Sequence, residues 1–466
     1  MIDDPMEEIL SVLQDVVLPA GVPVVPDFET AARFSIAADV GESSGAWFDV
    51  LPADDGRLTL VLGQVPGSGM VAVAAASAAA AVLRASLRHS GDLATALSLL
   101  ETHAAMTPDA RGTVLAVATV DPHDRVVTYA VAGHDGPVVS PRGGAGRRLG
   151  VHGPALGHGV VPSVALETLA DGDVVALELG VTDLPAQLDH HRAESLEATC
   201  DAVSEQVMTV AERGVVAVVA AGLPGRRTAD LMVRLPHDEL ASRRARHELG
   251  EWLERCGATA MDSLSVVQAT GELIANALEH AYPARDVDAV VELRACHRPS
   301  GEVVVEVVDH GHWRRETDEA GRGRGLAMAA GLVSGLEVVT GPDGTRGRVS
   351  QPLGRPVAVR RHPVVHPPEA VVDIHRDAPD RLRLTGDFGH DEVERVGHEL
   401  GLATRGGTRP VVLDLSDLVA VSAGALRLLG DLVATDHGPT RVELRARQGS
   451  VAQRELTRAG IAHDAS

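Results

Sequence analysis

The sequence predicts a multidomain chain of α/β and α+β units in series. Three observations carry this. Period-2 apolar runs flank a pair of helical stretches in the first half, strands alternate with helices again further on, and turn-rich segments near 222–230 and 351–368 separate these patterns. With 466 residues, the chain has room for about two to four units, each burying its own core.

The first unit spans 1–222. Period-2 runs around 28–38 and 57–63 read as strands, followed by an alanine-rich helix at about 70–88 and another at about 92–107. TVLAVATVD at 113–121, VVTYAVAG at 126–133, VALETL at 164–169 and DVVALELG at 173–180 are strands between turns. A helix around 191–212 then precedes a last strand at 214–222. Strands on both sides of a helical pair describe sheets covered by helices.

The second unit, 230–352, opens with amphipathic helices at 238–256 and about 263–282. Strands at 288–295 and 302–308, a glycine-rich loop, a helix at about 325–335 and two closing strands complete it. Residues 353–369, with prolines in HPVVHPP, read as an extended linker. The third unit, 370–466, alternates strands at 371–374, 381–384, 411–417 and 441–446 with helices at 390–402, 423–434 and 450–459.

Composition narrows the function. There is no lysine, so phosphate contacts fall to arginine or backbone N–H groups. A formal charge of −23 opposes nucleic acid and anionic membranes as partners, because both demand concentrated basic surface. The three cysteines, Cys200, Cys256 and Cys296, are scattered, which suits a reducing cytoplasmic interior and no metal cluster. The apolar stretch 69–87 is mostly alanine and is expected to be a buried helix that does not span a membrane.

The richest chemistry lies in 272–326. ELIANALEH at 272–280 puts Glu272, Asn276 and either Glu279 or His280 on successive turns of one helix. Asn276 can offer a neutral oxygen to Mg²⁺ held by phosphates, and Glu272 is a candidate base toward a hydroxyl. Asp309 ends a strand, where a fixed carboxylate can accept from an exocyclic amine. In GRGRGL at 321–326, glycines allow close backbone approach to phosphate and open a helix whose N-terminus favours anions. Arg322 and Arg324 are either phosphate contacts or solvent-facing lid residues.

The stretch 232–350 resembles the Bergerat-fold (GHKL) ATPases, and among them the anti-sigma-factor serine kinases. The family's N-box matches Glu272, Leu273, Asn276 and His280, its adenine-contacting aspartate matches Asp309 with Gly311, and its phosphate glycines match Gly323 and Gly325, next to Leu326. Its late Gly-Thr pair matches Gly344 and Thr345. The resemblance implies ATP and Mg²⁺ as cofactors, with Asn276 chelating the metal and Glu272 serving as base toward a protein serine.

Residues 12–221 resemble the PPM-type serine phosphatases related to the stage II sporulation phosphatase, through SGAWFD at 44–49, DGRLTLVLGQVPGSG at 55–69, VAGHDGP at 131–137 and LELGVTD at 177–183. In that family acidic residues hold two metal ions that activate a water. Here the metal positions fall on Ala46, Gln64 and Leu179, and the late acidic pair falls on Arg213 and Gly214. No Mn²⁺ or Mg²⁺ pair is expected, and the phosphatase activity is expected to be lost. Asp49 and Asp183 then read as ordinary surface or loop acids, and His134 as a structural histidine in a turn.

VVLDLSDLVAVSAGALRLLG at 411–430 is a buried strand, a loop and a helix starting near Ser422. A serine there can cap the helix, or it can accept a phosphate that changes the docking surface. The region 370–464 resembles STAS domains, the anti-sigma-factor antagonists, whose D-S-[SA]-G motif falls on Val421, Ser422, Ala423 and Gly424. That likeness places the phosphoacceptor on Ser422, with valine where the family has aspartate.

Together the resemblances imply a cytoplasmic partner-switching regulator. A sigma factor or a separate STAS antagonist would be its partner, and related kinase domains pair as homodimers. Two other readings remain open at this stage: a nucleotide-sensing scaffold without phosphate transfer, and a metal-dependent phosphatase with replacement ligands.

Overall fold

The computed structural model describes residues 18–465 except 20, 38–43, 151–152, 182, 209–215, 224–226, 237–239, 282–289, 312–322, 363–371, 379, 390–391, 406–408 and 435–441. The fold is mixed α/β and multidomain, as the sequence predicts.

The N-terminal unit is a four-layer sandwich. Strands Ser44–Pro52, Leu58–Ser68, Val114–Asp121, Val126–Ala132 and Ala165–Thr168 form one antiparallel sheet. A second, six-stranded sheet faces it and is centred on Glu29–Ala37, Val216–Gly222 and Val174–Leu179. Phe34, Phe48, Leu60 and Val120 fill the space between the sheets. On the outer face of the first sheet, Trp47, Val61 and Val117 meet Leu83, Leu97 and Leu100 from helices Gly69–Ser90 and Leu93–Met106. Helices Leu184–His190 and Leu196–Met208 cover the other sheet through Leu184, Leu188, Cys200 and Val203.

The helix Gly69–Ser90 is long and apolar enough to cross a bilayer by length and hydropathy alone. Its small side chains, including Ala72, Ala76, Ala79 and Ala80, are buried against the sheet, because alanine lets a helix lie close on a β surface.

The middle unit is a five-stranded antiparallel sheet ordered Leu231–Pro236, Val290–His297, Glu302–Asp309, Gly344–Pro352, Gly335–Gly341. Helices Ala241–Cys256 and Ala260–His280 lie on one face, with Trp252, Leu253, Val266 and Ile274 packed onto Leu293, Val305 and Val349. Gly257, at φ +83, ends the first helix in the left-handed conformation that glycine adopts without strain.

The stretch 353–369, read from sequence as a linker, contains two short strands. Gly354–Arg355 pairs with Val22–Pro23, and Ala358–His362 joins the edge strand Glu29–Ala37 of the six-stranded sheet in parallel. His297 Nε2 also lies 3.0 Å from the Val24 carbonyl, and Arg227 pairs with Asp27 at 2.6 Å. His297 of the middle unit and the segments flanking that unit thus meet the first unit at several points.

The C-terminal unit has a sheet ordered Asp373–Ala378, Arg381–Phe388, Val411–Val421, Val442–Ala446, Asp464–Ala465, antiparallel at the first pair and parallel thereafter. Helices Val393–Ala403, Ala423–Ala434 and Val451–Arg458 share its core through Val396, Leu400, Leu429 and Leu456.

Candidate nucleotide-binding site

The helix Ala260–His280 is anchored at its start by Thr259, whose Oγ1 accepts from Asp262 N at 3.1 Å and donates to Asp262 Oδ2 at 2.7 Å. Leu273, Ile274 and Ala277 face the core, which leaves Glu272 and Asn276 on the neighbouring stripe. Asn276 lines a cleft together with Asp309, Leu326 and Thr345, floored by Leu273 and Val307.

Asp309 closes its strand at 3% exposure. Gly311 N donates to its Oδ1 at 3.1 Å and Thr345 N at 3.2 Å, while Oδ2 takes no bond from the described residues. Burial pushes the carboxyl above the ordinary range, and the two N–H bonds pull against that rise. Gly344, at φ +123, lets its turn sit on the Asp309 carbonyl, where any side chain would collide. The Gly-Thr pair thereby delivers the Thr345 amide to the aspartate.

Two cleft atoms lack partners. Asn276 Nδ2 and Thr345 Oγ1 are buried with no hydrogen bond from the described residues. An orphaned buried polar atom costs about 1–3 kcal/mol, and a phosphate oxygen accepting from Asn276 Nδ2 would offset that cost. A neutral amide beside a buried carboxylate fits Mg²⁺ with phosphate at one end and an exocyclic amine at the other. Asn276 would hold the ion through its amide oxygen. Asp309 would take the base.

The helix Gly323–Ala330 lies over this cleft, with Gly325 against the Glu272 carboxylate and Leu326 on the lining. The space left is about 20 Å³, enough for roughly one water. A nucleotide would need more space than this, which a shift of the helix would open.

The sequence-predicted residues Glu272, Asn276, Asp309, Gly311, Gly325, Leu326 and Thr345 come together here. Gly323 is the first residue of the lid helix. Arg322 and the side chains of Arg324 and His280 fall outside the described residues. Sequence reasoning missed Val307 and Gly347, which face each other across paired strands beneath Leu273. Their alternation with Asp309 and Thr345 was the available signal.

In the N-terminal unit, Ala46 and Gln64 are register partners on adjacent strands, and Leu179 ends the strand Val174–Leu179. Arg213 and Gly214 fall outside the described residues. Among the described residues no three His, Cys, Asp or Glu side chains gather in a way that could hold a metal. His134 is half-buried in its turn, with Nδ1 2.6 Å from the Asp135 carbonyl. Asp183, at φ +53, leads into a helix.

Asp49 corrects an expectation. It is no surface acid: it is 4% exposed and bound by Arg84 Nη2 at 2.7 Å and Nε at 3.2 Å. Burial raises its carboxyl and the guanidinium opposes the rise. Its side chain points to the helix Gly69–Ser90, whereas Ala46 and Phe48 point between the sheets.

Ser422 precedes the helix Ala423–Ala434, and its Oγ accepts from Ala425 N at 3.2 Å while its own N–H donates to the Phe388 carbonyl. It is half-buried. Asp414 Oδ1 accepts from Ser416 N, and Ser416 Oγ accepts from Arg447 N. Both side chains organise the loop.

Two family models match the chain. Residues 54–215 match the family model of stage II sporulation protein E (SpoIIE), and residues 235–350 match that of the histidine kinase-like ATPase domain. The chain therefore joins a SpoIIE-like phosphatase domain to a histidine kinase-like ATPase domain, the arrangement of an RsbU/RsbW-type regulator. A crystal structure of the RsbU and RsbW domains of Rv1364c from Mycobacterium tuberculosis is similar, with 26% identity and a TM-score of 0.65 over 74% of this chain and 99% of that one. The SiaA-PP2C domain of Pseudomonas aeruginosa is 15% identical, with a TM-score of 0.39 over 47% of this chain and 96% of that one.

Proposed function

We propose that this protein is a partner-switching regulator of a sigma factor, in which the middle domain binds Mg²⁺-ATP and phosphorylates a serine on a STAS-type antagonist. The C-terminal unit is read as a STAS domain, and its Ser422 as a candidate acceptor in the same chain. One observation supports this above others: Asn276, Asp309 and Thr345 share a cleft in which two buried polar atoms await partners. Glu272, beside the lid glycine Gly325, is the residue positioned to orient or deprotonate the hydroxyl. Asn276 and the backbone N–H groups opening Gly323–Ala330 supply the setting for the phosphates.

The N-terminal unit is read as a phosphatase scaffold without catalysis, because alanine and leucine cannot ligate a metal and glutamine supplies no charge at Gln64. Incubation with Mg²⁺-ATP followed by intact-mass measurement tests the proposal. One added phosphate on Ser422 or on a STAS partner, lost in Glu272→Ala, is expected. No mass gain on either protein would overturn the transfer step.

A second reading, a nucleotide-sensing scaffold without transfer, is favoured by Gly325 lying directly against the Glu272 carboxylate, on the side from which a substrate hydroxyl would approach. It requires saturable ATP binding with no phosphoserine and with Glu272→Ala silent.

A further inference from the structure

The strand Leu58–Ser68 of the first unit and the helix Ala423–Ala434 of the third pack against each other. Among the described residues, Arg427 makes a polar contact between them. Its Nη2 donates to the Pro66 carbonyl at 3.0 Å, and its Nη1 lies 3.5 Å from Asp109 Oδ1. Its Nε is shielded from water, so the base of the guanidinium is pressed into the interface. Gly67, at φ +94, faces the same group, with room for a Cβ only 3.4 Å from Nη2.

This contact sits where the metal-binding motif of the resembled phosphatases falls. Pro66 and Gly67 lie just past Gln64, the register partner of Ala46. Two divalent cations at such a place would repel a guanidinium. With alanine and glutamine there, the nearby surface offers a carbonyl and the Asp109 carboxylate, both acceptors, and a cation fits.

We infer that this end of the phosphatase-like sandwich is a docking seat for the chain's own C-terminal unit, with Arg427 as the plug. The helix that Ser422 caps is thereby held by the first unit, so access to Ser422 follows the state of this contact. The seat rests on geometry and does not require that Ser422 accept phosphate. Only its regulatory sense draws on the proposed function.

Hydrogen–deuterium exchange on the full chain tests the seat. Arg427→Glu is expected to speed exchange in both 58–68 and 423–434 by about tenfold, the factor set by losing one charge-assisted hydrogen bond, with 290–309 unchanged. Asp109→Arg, which leaves the C-terminal unit untouched, is expected to do the same in 423–434. Combining the two should move both segments back toward wild type. Wild-type exchange in both single variants would overturn the proposal. So would acceleration throughout 373–446 in Arg427→Glu with Asp109→Arg silent, since that pattern means local unfolding.

Discussion

Gly325 backs onto Glu272, and a methyl group there would overlap the carboxylate; Gly344 backs onto Asp309, and a methyl group there would overlap the main-chain carbonyl. A carboxylate at the end of a flexible side chain can step aside, and a strand backbone cannot. Gly344 also holds φ +123, which side chains disfavour. Urea denaturation should therefore show Gly344→Ala costing about 2 kcal/mol or more, and Gly325→Ala staying within about 0.5 kcal/mol.

Asn276→Ala should weaken Mg²⁺-ATP binding by roughly tenfold or more in calorimetry, while leaving magnesium-free ATP binding nearly unchanged. Equal loss with and without magnesium would assign Asn276 to phosphate or base contact. Asp309→Asn should weaken both equally, because the amide would present a donor to the donor amine of adenine.

Asp309 also makes a pH prediction for the protein without nucleotide. Its carboxyl is raised by burial above the ordinary 3.8, so the folded chain holds this proton more tightly than the unfolded chain. The associated stability is complete below the unfolded value and declines as pH rises through the folded one. Thermal melts from about pH 4 upward should show wild type losing ground relative to Asp309→Asn, which has nothing to ionise. A constant difference across that range would contradict the assignment.

The Asp49–Arg84 pair should respond unequally to its two truncations. Arg84 is about one-third exposed and reaches water when freed, whereas Asp49 is left buried with its Arg84 hydrogen bonds gone and only the more distant Arg88 charge to offset burial. Arg84→Ala should cost about 3 kcal/mol and Asp49→Ala nearer 1 kcal/mol in urea titrations.

Alkylation of the folded protein at neutral pH should leave Cys200 and Cys256 unmodified. Burial pushes their thiols up to about 12 and about 11, and the thiol is far less nucleophilic than the thiolate. Cys296 is only partly covered and is the expected site of reaction.

Legibility followed distance along the chain. Glu272 and Asn276 could be placed together from sequence because helical spacing fixes their common face, and Asp309 because a strand end is a local signal. Val307 and Gly347 follow singly from Asp309 and Thr345 by period-2 alternation, but their meeting needs a strand pairing that no short window shows. The face of Asp49 was within reach, since three residues from Ala46 means the opposite side of a strand. The pairing of Ala358–His362 with Glu29–Ala37 was not, because AVRRH is short, charged and partnered far upstream. Nor could sequence place Arg427 on Pro66, a contact made only when two separately folded units meet.

That late strand bears on how the polypeptide matures during synthesis. The edge Glu29–Ala37 stays bare until residues 358–362 emerge from the ribosome, after the whole nucleotide-binding unit has been made. A fragment stopped near residue 222 would carry an open β-edge, a template for adhesion between chains. Expressing the first domain alone should thus yield aggregates, whereas a version extended through His362 covers that edge with a short strand of charged sequence, AVRRH.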